Sequence, residues 1–471
     1  MSLQDDQPKN HTMDERYLST LSPCSCDYSE FCRKFPEEEE VRVKVFESRE
    51  SVLTELFRNK HILAIYRMFV ALIVGTCINT LLHDYFYNEQ IGTGYRLIIK
   101  VFRNFHAFVI AWICAFSITL CVYPAFQVWG AVRLHLLPKS NHLLLWDKLW
   151  MVIYVLYATT ILYCSVWATF RYDFGYALGG ATGCETTRLI MKSYAFIRTC
   201  APDIVKHVKV KSSRNFSHYV YFLFAPTLLY RDSYPRSKGS IRWHLVINYF
   251  IELIAAIVLC SFVYQTTYIS QLEDFGLRPY RLADIVMIVL RNAPYAMLTS
   301  LLLFYLLLHL WSNAFAEMLH FSDRLFYQDW WTSTSFERYY RTWNSIVYDW
   351  LYKYIYRDFY EVVLPGNKTA AKIVVIFISA LFHDYISANA IGFFLPTFVI
   401  QFFVLGSIMA QVKFSNRTVG NVVLWYSLAV GASCMYTING LEYYCRLNYV
   451  KENLTVYNFF VPTLFQCDIT F

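Results

Sequence analysis

Charged residues are scarce in this sequence. They make up 16% of its 471 residues, whereas about 25% is usual in soluble globular domains, and 56% of the residues are hydrophobic. This composition excludes water as the main solvent of the chain. The net charge of +7 does not indicate a nucleic-acid partner, because the Lys and Arg residues lie in loops between apolar stretches, where the positive-inside bias of membrane proteins places them.

Several familiar signals are missing as well. The polar N-terminal segment lacks the basic start and apolar core of a cleaved signal peptide. No inverted internal repeat of the kind found in transporters is visible. Cys24, Cys26 and Cys32 have no nearby His at zinc-finger spacing, so we expect no metal site and no bound cofactor. We assign residues 1–58 to a cytosolic, largely disordered tail.

Apolar stretches of membrane-spanning length recur along most of the chain. A helix needs about 20 residues to cross a bilayer. Eight stretches are close to this length: Ile62–Leu82, Ala107–Trp129, Leu149–Ala168, Trp243–Tyr268, Asp284–Trp311, Ala370–Ala390, Phe393–Val412 and Asn421–Gly440. They predict one continuous helical membrane domain over residues 59–441.

Two loops rich in Lys and Arg decide the number of crossings. The loops at 198–242 and 324–372 should both face the cytosol, and eight crossings that start from a cytosolic N-terminus cannot place both there. A ninth crossing in the less apolar stretch Tyr172–Phe196 removes the conflict. We therefore predict an all-α polytopic membrane protein with about nine transmembrane helices and short interfacial helices.

A ninth crossing makes the tail at residues 442–471 lumenal. Cys445 and Cys467 could then form a disulfide in an oxidising compartment, and Asn453-Leu454-Thr455 would be a usable glycosylation acceptor. Three other acceptor matches fall in predicted cytosolic loops, where we expect no glycan, and these are Asn215, Asn367 and Asn416.

The segment from Phe321 to Tyr360 is unusually rich in Trp and Tyr. It is too polar to cross a bilayer and too aromatic for a free loop. We expect short helices at the membrane interface, where Trp and Tyr prefer headgroup depth. A simple membrane-surface anchor and a part of a reaction chamber are both consistent with this composition.

His383 and Asp384 lie about 13 residues into a predicted span, roughly 20 Å from its cytosolic end. Ionisable residues at such depth usually mark a pathway or a site, although a histidine satisfied by a neighbouring helix is the alternative. Burial disfavours the charged imidazolium, and a neutral His383 could take the proton of a lipid hydroxyl as that oxygen attacks a thioester. Asp384 points about 100° away on the helix, which favours an internal anchor.

Three further residues suit this chemistry. Asn344 could donate to the charge that develops on the thioester oxygen if the aromatic segment folds against the His383 span. Lys368 precedes His383 by roughly 22 Å of helix, comparable with the reach from the phosphates of acyl-CoA to its thioester, although an ordinary positive-inside anchor is the alternative. Ser379 could form an acyl-enzyme, but direct transfer needs no second nucleophile.

Several short motifs are recognisable around these residues. Residues 326–332 match the sequence pattern Phe-Tyr-x-Asp-Trp-Trp-Asn, which is the signature of a known enzyme family, except that Thr332 occupies the last position. Further matches are YRTWN at 340–344, DWLY at 349–352 and FLFAPTLLYRDSYPR at 222–236. With these motifs, the chain resembles the sterol O-acyltransferases of the membrane-bound O-acyltransferase superfamily. The resemblance extends from about Val45 to the C-terminus.

The resemblance implies a nine-helix membrane fold that assembles as a homodimer or homotetramer in the endoplasmic reticulum membrane, with acyl-CoA and a sterol as substrates. It implies that His383 is catalytic with Asn344 as its partner. The residues it assigns to the acyl-CoA path are Arg341, Tyr356, Lys368 and Ser379, and those of the signature loop are Phe326, Tyr327, Asp329, Trp330, Trp331 and Trp343.

Three departures and two rival functions accompany this assignment. Thr332 replaces the asparagine of the family signature, and Tyr348 stands where the family usually has a histidine. Asp384 stands where the family has a glutamate, which is a conservative change. A diacylglycerol acyltransferase shares the histidine mechanism and much of the signature loop. In a non-catalytic transporter or sterol-sensing protein, His383 would be structural.

Overall fold

Helices form nearly all of the described structure, as the apolar composition predicts. The structure, a computed structural model, describes residues 44–87, 99–135, 141–206, 215–412, 414–450, 456–467 and 469–470. The chain divides into two units, Met1–Val45 and Phe46–Phe471, and only residues 44 and 45 of the first are described. Cys24, Cys26 and Cys32 of the predicted tail lie outside the described residues.

The α-helices of the second unit have the following bounds: Val52–Leu56, Lys60–Tyr87, Phe105–Leu120, Val122–His135, Asn141–Arg171, Tyr176–Val205, Phe216–Phe224, Trp243–Tyr264, Ser270–Leu272, Leu282–Phe304, Ser312–Met318, Phe336–Thr342, Ser345–Leu351, Lys368–Ile391, Gly406–Met409, Arg417–Cys445 and Val456–Phe460. π-Helical segments lie at Gln265–Ile269, Tyr305–Trp311, Tyr352–Tyr356, Phe359–Val363, Val399–Leu405 and Arg446–Val450, and 3-10 turns lie at Trp330–Thr332 and Leu464–Gln466. The strands Tyr280–Arg281 and Ile469–Thr470 pair in parallel.

Six helical segments of the described residues are long and apolar enough to cross a membrane: Ile99–Leu134, His142–Arg171, Trp243–Leu272, Leu282–Met318, Lys368–Ile391 and Arg417–Tyr449. They confirm the predicted all-α membrane architecture. Two other predicted crossings lie in long helices outside this set, Lys60–Tyr87 and Tyr176–Val205. The number of nine crossings stays a prediction.

The helix Tyr176–Val205 packs against Lys368–Ile391, and glycines make the approach close. A Cβ atom on Gly179 would lie 2.1 Å from the Asn389 carbonyl oxygen. Gly183, four residues later, faces the same helix. Small residues at this spacing let two helix backbones approach each other in a membrane. The glycines also lower the hydropathy of this stretch, which explains why the sequence alone marks it weakly.

The predicted span Phe393–Val412 is interrupted near its start. Gly392 ends the preceding helix with a φ of 88°, a left-handed conformation that favours glycine. Pro396 then disfavours helix for the residue before it. The next helical run, Val399–Met409, has a length of about 16 Å, too short to cross a hydrocarbon core of about 30 Å alone.

Asparagine side chains cap several of the helices, and three of these asparagines lie in glycosylation-like sequences. The Oδ1 atoms of Asn215, Asn367 and Asn416 each accept a hydrogen bond from a backbone N–H of the first turn, at 2.8 Å, 3.0 Å and 2.8 Å. Such caps satisfy N–H groups that the helix itself leaves unpaired. Helix capping therefore accounts for asparagine at the three glycosylation-like sequences. Asn453, in the fourth, lies outside the described residues.

The end of the chain is fastened to the helix Arg417–Cys445. Cys445 and Cys467 form a disulfide. Glu442, which is fully buried, accepts hydrogen bonds from the backbone N–H groups of Thr463 at 2.8 Å and Leu464 at 2.7 Å. The predicted lumenal tail therefore contains an ordered segment over residues 456–467.

Candidate active site

His383 lies in the second half of the helix Lys368–Ile391 and is half-buried. Its Nδ1 atom lies 2.7 Å from the carbonyl oxygen of Ser379, one turn earlier. A carbonyl oxygen can only accept, so Nδ1–H is the donor and the neutral ring carries its lone pair on Nε2. The bond therefore leaves Nε2 as the atom that can take a proton.

Two phenylalanine rings line the imidazole. The ring centroids of Phe398 and Phe402 lie 5.2 Å and 5.4 Å from that of His383, and the two rings lie 5.0 Å from each other. We call this pair the phenylalanine wall. The phenylalanine wall therefore covers part of the imidazole with apolar surface.

The aromatic segment folds against the helix that carries His383. Lys372, on that helix, donates to the Glu337 carboxylate at 3.3 Å, and Arg341 pairs with the same carboxylate at 2.7 Å. Burial acts to raise the pKa of Glu337, but the two cations outweigh it and lower the pKa below its ordinary value. Deeper in, the Tyr340 ring lies 6.4 Å from Phe402 of the phenylalanine wall.

Asn344 begins the helix Ser345–Leu351, and its Oδ1 accepts from the Val347 N–H at 3.1 Å. This bond orients the side-chain amide and leaves its NH₂ group to donate elsewhere. The neighbouring Ser345 N–H donates to the carbonyl of Phe326 in the signature loop at 2.9 Å. Among the described residues, no hydrogen bond joins Asn344 to His383.

The tryptophans of the signature loop form one buried aromatic cluster. Trp330 is 1% exposed, and its ring lies 4.5 Å from Trp343, 5.3 Å from Phe304 and 5.4 Å from Trp425. The carbonyl of Trp331 accepts from the Trp425 indole N–H at 3.2 Å. We call these five residues the tryptophan cluster, and it joins the loop to two apolar helices.

Tyr327 joins the signature loop to the N-terminal strap, residues 46–59. Its hydroxyl lies 2.7 Å from Nδ1 of His309 and accepts the Leu53 N–H at 3.4 Å. Ser51 of the strap is fully buried beside the same histidine. The strap is thus held by a buried polar network at the signature loop.

Thr332, the departure from the signature, lies in an exposed turn of the loop. Its hydroxyl donates to the Asp329 carbonyl at 2.8 Å and lies 2.9 Å from the Asp329 carboxylate. Arg338 donates to that carboxylate, also at 2.9 Å. Thr332 therefore stabilises the turn by its hydroxyl.

The remaining residues proposed to line the acyl-CoA path differ in their exposure. Tyr356, 9% exposed, is stacked between the rings of Tyr352 at 5.2 Å and Tyr360 at 6.0 Å. Lys368 is the exposed first residue of its helix. Ser379 contributes its carbonyl to His383. The stacked tyrosines are four residues apart in the sequence, a spacing that places side chains on one face of a helix.

Sequence reasoning missed the phenylalanine wall and the contact between Glu337 and Lys372. Phe398 and Phe402 lie inside the predicted span Phe393–Val412, where their composition does not distinguish them from the other apolar residues. Their four-residue spacing puts both rings on one helix face, but nothing local indicates which neighbour that face meets. Glu337 and Lys372 are far apart in sequence, and only the fold brings them together.

Comparison with known proteins agrees with the motifs. The membrane-bound O-acyltransferase family matches residues 139–440. Sterol O-acyltransferase 1 of Mus musculus is 32% identical over 436 residues, which cover 91% of this chain and 80% of that protein. Sterol O-acyltransferase 2 of Mus musculus is 32% identical over 430 residues, covering 90% and 81%. The Homo sapiens sterol O-acyltransferase 2 is 31% identical over 434 residues, covering 90% and 80%.

The family match covers more than half of the chain, and the similarity to these relatives runs through most of both sequences. The motifs that suggested the resemblance, including the signature loop and His383, lie inside the matched range. The chain therefore belongs to the membrane-bound O-acyltransferase family.

Proposed function

We propose that this protein transfers a long-chain fatty acyl group from acyl-CoA to the hydroxyl of a sterol. The observation that carries the proposal is the hydrogen bond from His383 Nδ1 to the Ser379 carbonyl, because it directs the basic Nε2 away from the helix backbone. The relatives named sterol O-acyltransferase support the choice of a sterol as acceptor.

His383 acts as a general base in this proposal. Nε2 takes the proton of the sterol hydroxyl while the hydroxyl oxygen bonds to the thioester carbon. The carbon–sulfur bond then breaks, and the CoA sulfur leaves with the proton that His383 held. A proton transfer of this kind is worth about 10²–10⁴ in rate.

Asn344 is proposed to stabilise the negative charge that develops on the thioester oxygen. Its Oδ1 is occupied by the Val347 N–H, so the amide presents its NH₂ group as the donor. An acyl-CoA bound with its thioester near His383 would extend toward Lys368, roughly 22 Å away along the helix. Arg341, Tyr356 and Ser379 are proposed to line this path.

We further infer an endoplasmic reticulum membrane location with a cytosolic N-terminus and a lumenal C-terminus, in a dimer or tetramer. The disulfide between Cys445 and Cys467 supports the lumenal assignment, because disulfides persist in oxidising compartments. The loops rich in Lys and Arg support the cytosolic side.

Purified membranes supplied with labelled oleoyl-CoA and a panel of acceptors test the proposal. We expect labelled steryl ester, and about 10²–10⁴ less of it with His383→Ala. His244→Ala is the matched control, since His244 is exposed at the start of the helix Trp243–Tyr264, and it should keep wild-type activity. Labelled triacylglycerol without steryl ester would contradict the acceptor, and unchanged turnover in His383→Ala would contradict the base.

A further inference from the structure

Asp384 follows His383 in the chain but faces a different neighbour. Its side chain is fully buried, within a helix apolar enough to cross a membrane. A carboxylate in such a place is costly unless its oxygens accept hydrogen bonds. Both of its oxygens do so, and their partners belong to the chain segment that follows Pro396.

The partners are two consecutive backbone N–H groups. Oδ1 accepts from the Phe398 N–H at 2.8 Å and Oδ2 from the Val399 N–H at 2.9 Å. These groups stand at the start of the helical run Val399–Met409, whose first N–H groups have no partner within the helix. The carboxylate thereby also meets the positive end of the helix dipole.

The residue held in this way carries one ring of the phenylalanine wall. Phe398 contacts the imidazole at a centroid distance of 5.2 Å, and Phe402 follows one turn later at 5.4 Å. Phe402 in turn lies against Tyr340 of the aromatic segment. Asp384 and His383 lie on the same helix, so the helix that carries the imidazole also holds the phenylalanine wall that the imidazole faces.

We propose that Asp384 is a positioning residue for His383: it holds the backbone at Phe398 so that the phenylalanine wall keeps the imidazole in place and bounds the space in front of Nε2. This inference rests on the proposed role of His383 as base. It assigns Asp384 no proton transfer, because both carboxylate oxygens are engaged by backbone N–H groups.

The test compares Asp384→Asn with Phe398→Leu and the double variant, in purified protein, with turnover normalised to folded enzyme. Asparagine can accept one N–H but presents an NH₂ group to the other. We expect kcat to fall about 10- to 100-fold in Asp384→Asn, since small misplacements at a reacting centre have such effects, with the KM for acyl-CoA within about twofold. Asp384→Glu, which keeps both acceptors, should restore most of the loss.

The double variant distinguishes positioning from general stabilisation. If Asp384 acts through Phe398, Asp384→Asn combined with Phe398→Leu should be no slower than Asp384→Asn alone, whereas independent effects would multiply. The matched control is Glu442→Gln, because Glu442 is a buried helix carboxylate that also accepts two consecutive backbone N–H groups, far along the chain. It should lower the thermal midpoint and leave kcat per folded molecule unchanged.

The outcomes separate this inference from the proposed function. An inactive His383→Ala together with an Asp384→Asn variant of normal kcat would overturn the positioning role alone. Multiplying effects in the double variant would overturn it as well. If Asp384→Asn yields no folded protein, Phe398→Leu decides, because the inference requires a lower kcat at an unchanged thermal midpoint in that variant. An active His383→Ala would instead overturn the proposed function itself.

Discussion

The tryptophan cluster and the surroundings of His383 are built in opposite ways. Trp330 is 1% exposed and is packed between aromatic rings from several elements. His383 is half-buried, and its Nε2 has no hydrogen bond among the described residues. The tryptophan cluster is closed to other molecules by its own packing, whereas the Nε2 atom of His383 can still accept a hydrogen bond or a proton. The most recognisable motif of the sequence therefore stabilises the fold, whereas the proposed chemistry depends on a sparsely bonded residue nearby.

Trp330→Ala should have the largest effect on stability. Removing a fully buried tryptophan leaves a cavity, and such changes lower the free energy of unfolding by about 3–5 kcal/mol. We expect a lower thermal midpoint in detergent and less folded protein after size-exclusion chromatography. Trp330→Phe, which keeps a ring in the cluster, should lose less.

The contrast with His383→Ala sharpens the comparison. That variant should keep the wild-type thermal midpoint and lose turnover. A Trp330→Ala protein with normal stability and abolished turnover would break the comparison, because it would move the tryptophan cluster from the fold to the chemistry.

Tyr327→Phe should have an intermediate effect. It removes the hydroxyl that lies 2.7 Å from His309 Nδ1, the shortest hydrogen bond of that atom, while Asn313 and Ser51 remain at 3.3 Å and 3.4 Å. Loss of one such bond destabilises by about 0.5–1.5 kcal/mol. The N-terminal strap should then loosen, and limited proteolysis should cleave between residues 46 and 59 faster than in the wild type.

Tyr339→Phe is the matched control for this variant. Tyr339 packs against Trp330 in the same region, and its hydroxyl makes no hydrogen bond among the described residues. In the Tyr339→Phe variant, the N-terminal strap should be cleaved at the wild-type rate. Equal cleavage of the wild type and Tyr327→Phe would show that the strap is held by other contacts.

The sequence predicted the helical membrane domain because apolar length and low charge are properties of the chain itself. It singled out His383 for a similar reason, since a polar residue deep in an apolar stretch is visible without a fold. The roles of Arg341 and Tyr356 came from the resemblance alone, whereas the chemistry of the Asn344 amide also suggested its role as a donor. These predictions therefore drew on two kinds of information, one physical and one comparative.

Long-range pairing could not be predicted in this way. Glu337 and Lys372 meet only because the aromatic segment folds back, and Asp384 finds its partners in backbone N–H groups, which any sequence supplies. The glycines at 179 and 183 reduced the hydropathy of a helix while permitting its close packing. Hydropathy measures an average over a stretch, whereas packing depends on which few residues face the neighbour.

Thr332→Asn should have the smallest effect, and it tests whether a departure from the signature alters the chemistry. Thr332 is exposed, and among the described residues its hydroxyl bonds to Asp329 of its own turn and to Arg338 of the helix that follows. Surface substitutions of this kind stay within about 0.5 kcal/mol. Asparagine offers polar atoms to the same turn, so steryl ester formation and the preference among acceptors should both stay at wild-type values. Thr332→Ala, which removes the hydroxyl, should lower stability slightly and leave the acceptor preference unchanged. A changed acceptor preference in either variant would mean that the signature loop reaches the substrate, and the division between a region that holds the fold and a region that performs the reaction would no longer stand.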